Sequence, residues 1–281
     1  MNFFCRLLAC ALAFAGFHIN AHPDLEEAIE ATTAKLIEQN YPNALLLERA
    51  DLFRRHGQFN EALADIDLIE QRTNACAEVM LERAQILLDA GKTKDAHAVV
   101  QKLLRDYPTN YDAFIIRARC ESRLGQREAA IQDFTTAIKK SSAPGPDLYL
   151  ERARQLALLG RLDEAVRGLD EVIAQANDAS PIVLTAIEYD RQRKAFDSAI
   201  QRVNRLIERY PVKEPWLTLR GEIWAQSGRN GEAEADFRKV LKGIEAYSPE
   251  RRSLELTHAL AARVRNNLAR ISAANSTAPH P

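Results

Sequence analysis

Much of what a catalytic or nucleic-acid-binding chain needs is scarce in these 281 residues. The 11 glycines and 11 prolines are too few for a loop-rich all-β protein or a catalytic scaffold of many turns. Four cysteines and six histidines leave little material for a metal or thiol centre. Neither sign of charge dominates. With 38 basic against 39 acidic side chains the net charge is −1, which argues against a nucleic-acid binder held by phosphate neutralisation. What is present is 46% apolar and 27% charged, the proportions of a folded, soluble, helical protein.

Residues 1–21 read as an export signal. Arg6 supplies the positive charge, Leu7 to Phe17 the apolar core and Ala21 the small residue before cleavage. The core is well short of the roughly 20 apolar residues of a spanning helix, so no membrane span is expected. Leu7-Leu8-Ala9-Cys10 has the look of a lipoprotein tetrapeptide, but only three apolar residues would separate Arg6 from Cys10. Cleavage after Ala21 removes one Arg and no acid, leaving 37 basic against 39 acidic side chains. The periplasm is the default destination, with secretion as the alternative.

The rest of the chain repeats itself. Leu46-Leu47-Glu48-Arg49-Ala50 returns as Met80-Leu81-Glu82-Arg83-Ala84, 34 residues on, and again as Tyr149-Leu150-Glu151-Arg152-Ala153. A small residue recurs at Ala50, Ala84, Ala118, Ala153 and Gly221, with a glycine seven residues later at Gly57, Gly91, Gly125, Gly160 and Gly228. An alanine column follows at Ala62, Ala96, Ala130, Ala165, Ala199 and Ala233. The apolar positions before each glycine fall on one face of a first helix, and the small residue admits a second helix closely. The glycine suits the left-handed backbone at a helix end. Pro108 and Pro211 close two second helices.

These columns resemble the tetratricopeptide repeat. Six repeats are read at about 43–76, 77–110, 111–145, 146–179, 180–213 and 214–247. The resemblance implies an all-α fold, a right-handed α-α superhelix or solenoid. The fifth repeat departs from the pattern: Ile187 takes the small column and Lys194 the glycine column, or else Ala186 is the small residue and the turn gains one. Wider helix spacing or an irregular turn is expected near 186–194. Residues 22–42 should form an N-terminal capping helix, with Leu25, Ala28, Ile29, Thr32, Leu36 and Ile37 available for burial. Residues 248–272 should form a C-terminal one covering the last repeat with Leu254, Leu256, Leu260, Val264 and Leu268. Its Arg251, Arg252, Arg263, Arg265 and Arg270 should face outward. The 273–281 tail has the composition of a disordered segment.

After cleavage Cys76 and Cys120 remain, in an oxidising compartment. The register sets them at opposite ends of equivalent helices, an offset of roughly 15 Å. A bridge tolerates about 7 Å between Cα atoms. Both are expected to be reduced and to serve as small packing residues.

Arg49, Arg83, Arg117, Arg152 and Arg220 all precede the small column and could form a ladder of anion sites. Asp65, Asp133 and Asp236 each follow one of them by 16 residues, which favours internal Arg–Asp bridges in those three repeats. The histidines show no metal-ligand spacing. A copper-chelating His22 amino terminus would have nothing else to complete it. No nucleophile elbow, phosphate loop or His-Glu-x-x-His occurs, so neither catalysis, metal nor cofactor is expected.

The resemblance implies that the first helix of each repeat lines a groove for extended peptides or partner helices. The register puts Leu81, Gln85, Ile115, Arg119, Arg123, Leu150, Arg154 and Glu188 there, beside Leu47, Asp51, Arg54, Asp89 and Arg191. The planar forks of Arg119, Arg123 and Arg154 suit carboxylates. The family's clamp for C-terminal carboxylates also uses asparagines, and none stands at the matching places. The expectation is a non-enzymatic scaffold in the cell envelope that binds a protein or peptide in this groove. The alternative is a structural subunit docking through its convex face or C-terminal helix.

Overall fold

The computed structural model describes residues 23–73, 76–174 and 180–277. The export signal, its cleavage point and His22 lie outside them, as do residues 278–281 of the tail. Fifteen helices and no strand are found among the described residues, so the fold is all-α. No described helix is long and apolar enough to cross a membrane. The chain forms two compact units, Met1–Pro144 and Gly145–Pro281.

In the first unit, α1 (Pro23–Glu38) precedes three helix pairs: α2 (Asn43–His56) with α3 (Phe59–Arg72), α4 (Ala77–Asp89) with α5 (Thr93–Asp106), and α6 (Tyr111–Arg123) with α7 (Arg127–Lys140). Each helix packs on the next, and the first helices also touch one another, α2 on α4 and α4 on α6. The reason is the spacing of apolar residues. In α5, Ala96, Val100, Leu103 and Leu104 share one stripe and are all buried, between Met80, Leu87 and Leu88 of α4 and Ala113 and Ile116 of α6. One such stripe cannot be covered by its own pair alone, so stacking is obligatory.

The second unit holds α8 (Pro146–Leu158) with α9 (Leu162–Ile173), α10 (Ser180–Gln192) with α11 (Phe196–Arg209), and α12 (Glu214–Gln226) with α13 (Asn230–Glu245). A single turn, α14 (Pro249–Arg252), and a long α15 (Glu255–Thr277) complete it. Pro146 and Pro215 sit in the first turns of their helices, where a missing N–H costs nothing. At Gly221 an added Cβ would stand 2.6 Å from the Phe237 ring, so α12 and α13 approach as closely as only glycine permits. Behind that contact lies a core of Phe237, Val240, Ala261, Val264 and Ile271.

The turns inside the pairs are uniform. Gly57, Gly91, Gly125, Gly160 and Gly228 all have φ between 76° and 84°. The irregular turn expected near 186–194 is not there. Lys194 adopts φ 60° and its turn makes the same bonds as the glycine turns, Lys194 N–H to the Arg191 carbonyl at 3.1 Å and Ala195 N–H to that of Asp190 at 2.8 Å. Ala186 and Ile187 are both buried.

Four further expectations need correcting. The C-terminal cap is broken after Arg252, and Leu254 and Leu256 stand 55% and 84% exposed instead of covering the last pair. The expected Leu260, Val264 and Leu268 do pack there, joined by Ala261 and Ile271, because α15 restarts at Glu255 with its apolar stripe on those positions. Helix α15 also continues to Thr277, into the segment whose composition reads as disorder. On α1, Thr32 and Leu36 are buried but Ile37 is exposed. Both Cys76 and Cys120 are free thiols, yet only Cys120 is a packing residue; Cys76 is exposed just before α4.

Candidate functional site

The arginine column is internal. Arg49 clasps Asp65 through Nε and Nη2 at 2.8 and 2.7 Å, Arg117 clasps Asp133 at 2.5 and 2.8 Å, and Arg220 clasps Asp236 at 2.7 and 2.8 Å. These are forked, largely buried pairs between the two helices of one repeat. The third donor reaches back to the preceding second helix, Arg49 to Thr33 Oγ1 at 3.1 Å and Arg220 to Asn204 Oδ1 at 2.6 Å. Arg83 has no aspartate 16 residues ahead and turns wholly backward, to Asp67 and Glu70. Arg152 packs against Gly168, where a Cβ would meet its Nη2 at 2.5 Å, and that Nη2 lies 3.8 Å from Glu171 Oε2. No ladder of free anion sites exists here.

In the fifth repeat the pair is inverted. Ala186 stands in the arginine column and Arg202 in the aspartate column, while the acid moves to Asp190 on α10. Asp190 is fully buried and accepts Arg202 Nε at 2.8 Å and Arg193 Nη2 at 2.7 Å. Arg202 also clasps Asp170 at 2.6 and 3.0 Å, tying α11 to α9. The exchange is legible in the columns, since Ala186 and Arg202 stand where three other repeats carry the Arg and the Asp of a pair.

A second buried cluster escaped the sequence reading. His97 of α5, Glu121 of α6 and Asp133 of α7 meet around Arg117, with His97 Nε2 3.8 Å and Arg117 Nε 3.9 Å from Glu121 Oε1. Burial, and then the neighbouring Asp133 carboxylate, push the Glu121 carboxyl up to about 7. Burial, helped by the Arg117 charge, lowers the His97 imidazole. His97 Nε2 and Glu121 Oε2 are buried without a hydrogen-bond partner in the structure. Glu121 takes a column where Phe53, Leu87, Leu156 and Trp224 are apolar, a signal that was available.

The expected groove residues fall on the first helices. In the first unit Leu81 and Gln85 lie on α4, and Ile115, Arg119 and Arg123 on the adjoining α6. Leu81 and Ile115 are half-buried, and Gln85 donates to Asp89 at 2.9 Å. Arg123 is exposed and donates to the Leu88 carbonyl; Arg119 is engaged within the chain. Arg54 is consumed by three carboxylates, Glu82 at 2.8 Å, Asp89 at 2.9 Å and Asp51. In the second unit Leu150 and Arg154 lie on α8, and Glu188 on the adjoining α10. Glu188 accepts from Arg191 at 3.1 Å and from Gln192 at 3.2 Å. Leu158 and Leu184, 58% and 38% exposed, share this face and were not among the expected site residues. Among the described residues no group of acidic, histidine or cysteine side chains is arranged to hold a metal ion.

A family model described as tetratricopeptide repeat matches residues 47–111, 81–121, 117–181 and 183–250. The DnaJ homolog subfamily C member 3 of Mus musculus is 27% identical over 186 residues, which cover 60% of this chain and 36% of that protein. The matching region is thus only about a third of the curated relative. Among solved structures, the C-terminal part of a tetratricopeptide repeat-containing protein from Cytophaga hutchinsonii superimposes with a TM-score of 0.62. It is 18% identical and covers 80% of this chain and 92% of its own. YrrB, described as a tetratricopeptide protein with an unusual peptide-binding site, gives a TM-score of 0.53 at 14% identity, over 72% of this chain and 97% of its own.

Proposed function

The chain belongs to the tetratricopeptide repeat family, and from that premise we propose that it is a non-enzymatic adaptor of the cell envelope that binds a protein or peptide partner on its first helices. The family's fold is a protein-interaction scaffold. The observation that carries the finer reading is the division of labour between the layers. The arginine column is spent inside the repeats, whereas the first helices expose Arg123 in the first unit and Arg154, Leu158, Leu184 and Glu188 in the second. Side chains of mixed chemistry on rigid helices can hold an extended or helical segment. YrrB, of the same fold, has a peptide-binding site by its own description.

Export is part of this reading and rests on the N-terminal 21 residues. Protein recovered from the envelope should begin at His22. An intact Met1 would remove the export step.

A photo-reactive residue placed at Gln85 or Arg154 in the native cell should give a cross-linked partner, while the same residue at Lys139 or Arg205 on second helices should not. A second reading, a structural subunit docking through the C-terminal helix, is favoured by the exposure of Leu254 and Leu256 at the start of α15. Adducts from position 256 alone would select that reading and discard the first.

A further inference from the structure

We propose that the α8–α10 face of the second unit seats a partner segment carrying one carboxylate flanked by aliphatic side chains, with Arg154 as its anchor. The inference deepens the reading of the first helices as the binding layer and rests on it. Five arginines stand on or beside the expected groove, and four are already used. Arg54 holds three carboxylates, Arg119 is engaged within the chain, Arg123 is on the Leu88 carbonyl, and Arg191 holds Gln226 at 2.9 Å as well as Glu188. Arg154 is exposed and makes no hydrogen bond or ion pair among the described residues.

Its surroundings set the rest of the partner's chemistry. Leu150, Arg154 and Leu158 follow one another at a spacing of four, one above the next on a single face of α8. Leu158 is 58% exposed there, and Leu184, 38% exposed, occupies on α10 the column that Leu150 occupies on α8. On the adjoining α10, burial raises the Tyr189 hydroxyl, the Arg154 charge lowers it and Glu188 raises it. Two carboxylates are near by register: Glu151, one turn before Arg154 on α8, is engaged within the chain, and Glu188 on α10 has both its oxygens taken by Arg191 and Gln192. A guanidinium without a carboxylate, set among exposed leucines, is complementary to an acidic side chain between apolar ones. The neighbouring repeat shows the same column in use: Glu222 is clasped by Arg263 of α15 with both bonds at 2.6 Å, and Asn267 joins at 3.2 Å. A bidentate pair therefore fits at this height of the first helix, with the charges reversed.

The test uses the full chain and fluorescence anisotropy with end-blocked synthetic peptides of about twelve residues, each with one central Glu and a leucine about one helical turn to either side. Replacing the peptide Glu by Gln should weaken binding about tenfold. In Arg154→Gln the two peptides should bind alike, while Arg205→Gln, on a second helix, should keep the preference. Arg154→Glu should prefer a peptide with Lys at the centre, a gain that an unfolded variant could not show. Equal binding of the Glu and Gln peptides to the wild-type chain overturns the proposal, as does no binding of either up to about 1 mM. So does a Glu preference that survives in Arg154→Gln. None of these outcomes touches the broader reading, which fails separately if no partner is captured from positions 85 and 154 in cells.

Discussion

At the residue scale, Lys194 shows what a turn demands. Five glycines hold a left-handed backbone at the end of a first helix, and Lys194 holds the same one at φ 60° with the same two hydrogen bonds. A side chain in that region costs about 1 kcal/mol or slightly more, because Cβ crowds the following carbonyl. The cost is tolerated because the flanking α10 and α11 bury Ile187, Ala199 and Val203 on either side of the turn. Lys194→Gly should therefore stabilise the second unit by about 1 kcal/mol, less the entropy that glycine adds to the unfolded chain. Urea unfolding would show this as a higher midpoint with an unchanged slope; a lower midpoint would mean that Lys194 makes contacts worth more than its strain. Such a residue reads as an exception in sequence because propensity speaks for one residue, while the turn is imposed by two helices.

At the element scale, the Arg–Asp bridges were legible as a spacing of 16, since helix, turn and returning helix have a fixed length. Of the cluster of His97, Glu121, Arg117 and Asp133 only the odd acid at Glu121 was legible in its column; its partners were not, because the cluster joins three helices and no single spacing describes three-body packing. Its titration makes stability depend on pH. The Glu121 carboxyl titrates at about 7 when folded instead of near 4.5, so the folded state binds more protons between those values. Its contribution to stability is full below about pH 4.5 and is lost as pH rises through about 7. His97 acts in the opposite direction: with its imidazole lowered, it favours the folded state above pH 6.5 and costs stability as pH falls. Glu121→Gln should then raise stability at pH 8 by about 1–2 kcal/mol and leave it nearly unchanged at pH 4. Thermal melts of wild type and variant across that range check it; parallel curves would mean that Glu121 titrates in the folded state as it does in the unfolded chain.

At the scale of the whole molecule, a repeat array is held by nearest neighbours, so its ends decide where it frays. Helix α15 closes the second unit by covering Val240 and Phe237 with Ala261, Val264 and Ile271. Removing residues from Leu254 onward should expose that core and release amide protection in α12 and α13, while α2 to α5 keep theirs. Hydrogen exchange read by mass spectrometry would show the gradient. Uniform protection in the truncated chain would show that α13 needs no cap. Composition misjudged this end: polar and small residues after Ala273 read as a tail, yet the helix continues to Thr277. Helix propagation adds one bond per residue, and Ala and Asn offer little to stop it once α15 is nucleated by packing.

The period, the small and glycine columns and the Arg–Asp spacing are local or within one repeat, and each was determined by the sequence by itself. From them follow the all-α fold, the family and the layer of first helices. Which side chains on that layer are free was decided only by the tertiary structure. Arg119, Arg123 and Arg154 share a residue type and each stands on a first helix, but two of them are engaged by neighbours. Leu254 and Leu256 belong by periodicity to a cap that the break after Arg252 turns away from the core. A side chain's availability depends on what the adjoining helices place within about 3 Å of it. That is a property of packing, which periodicity along one chain does not carry.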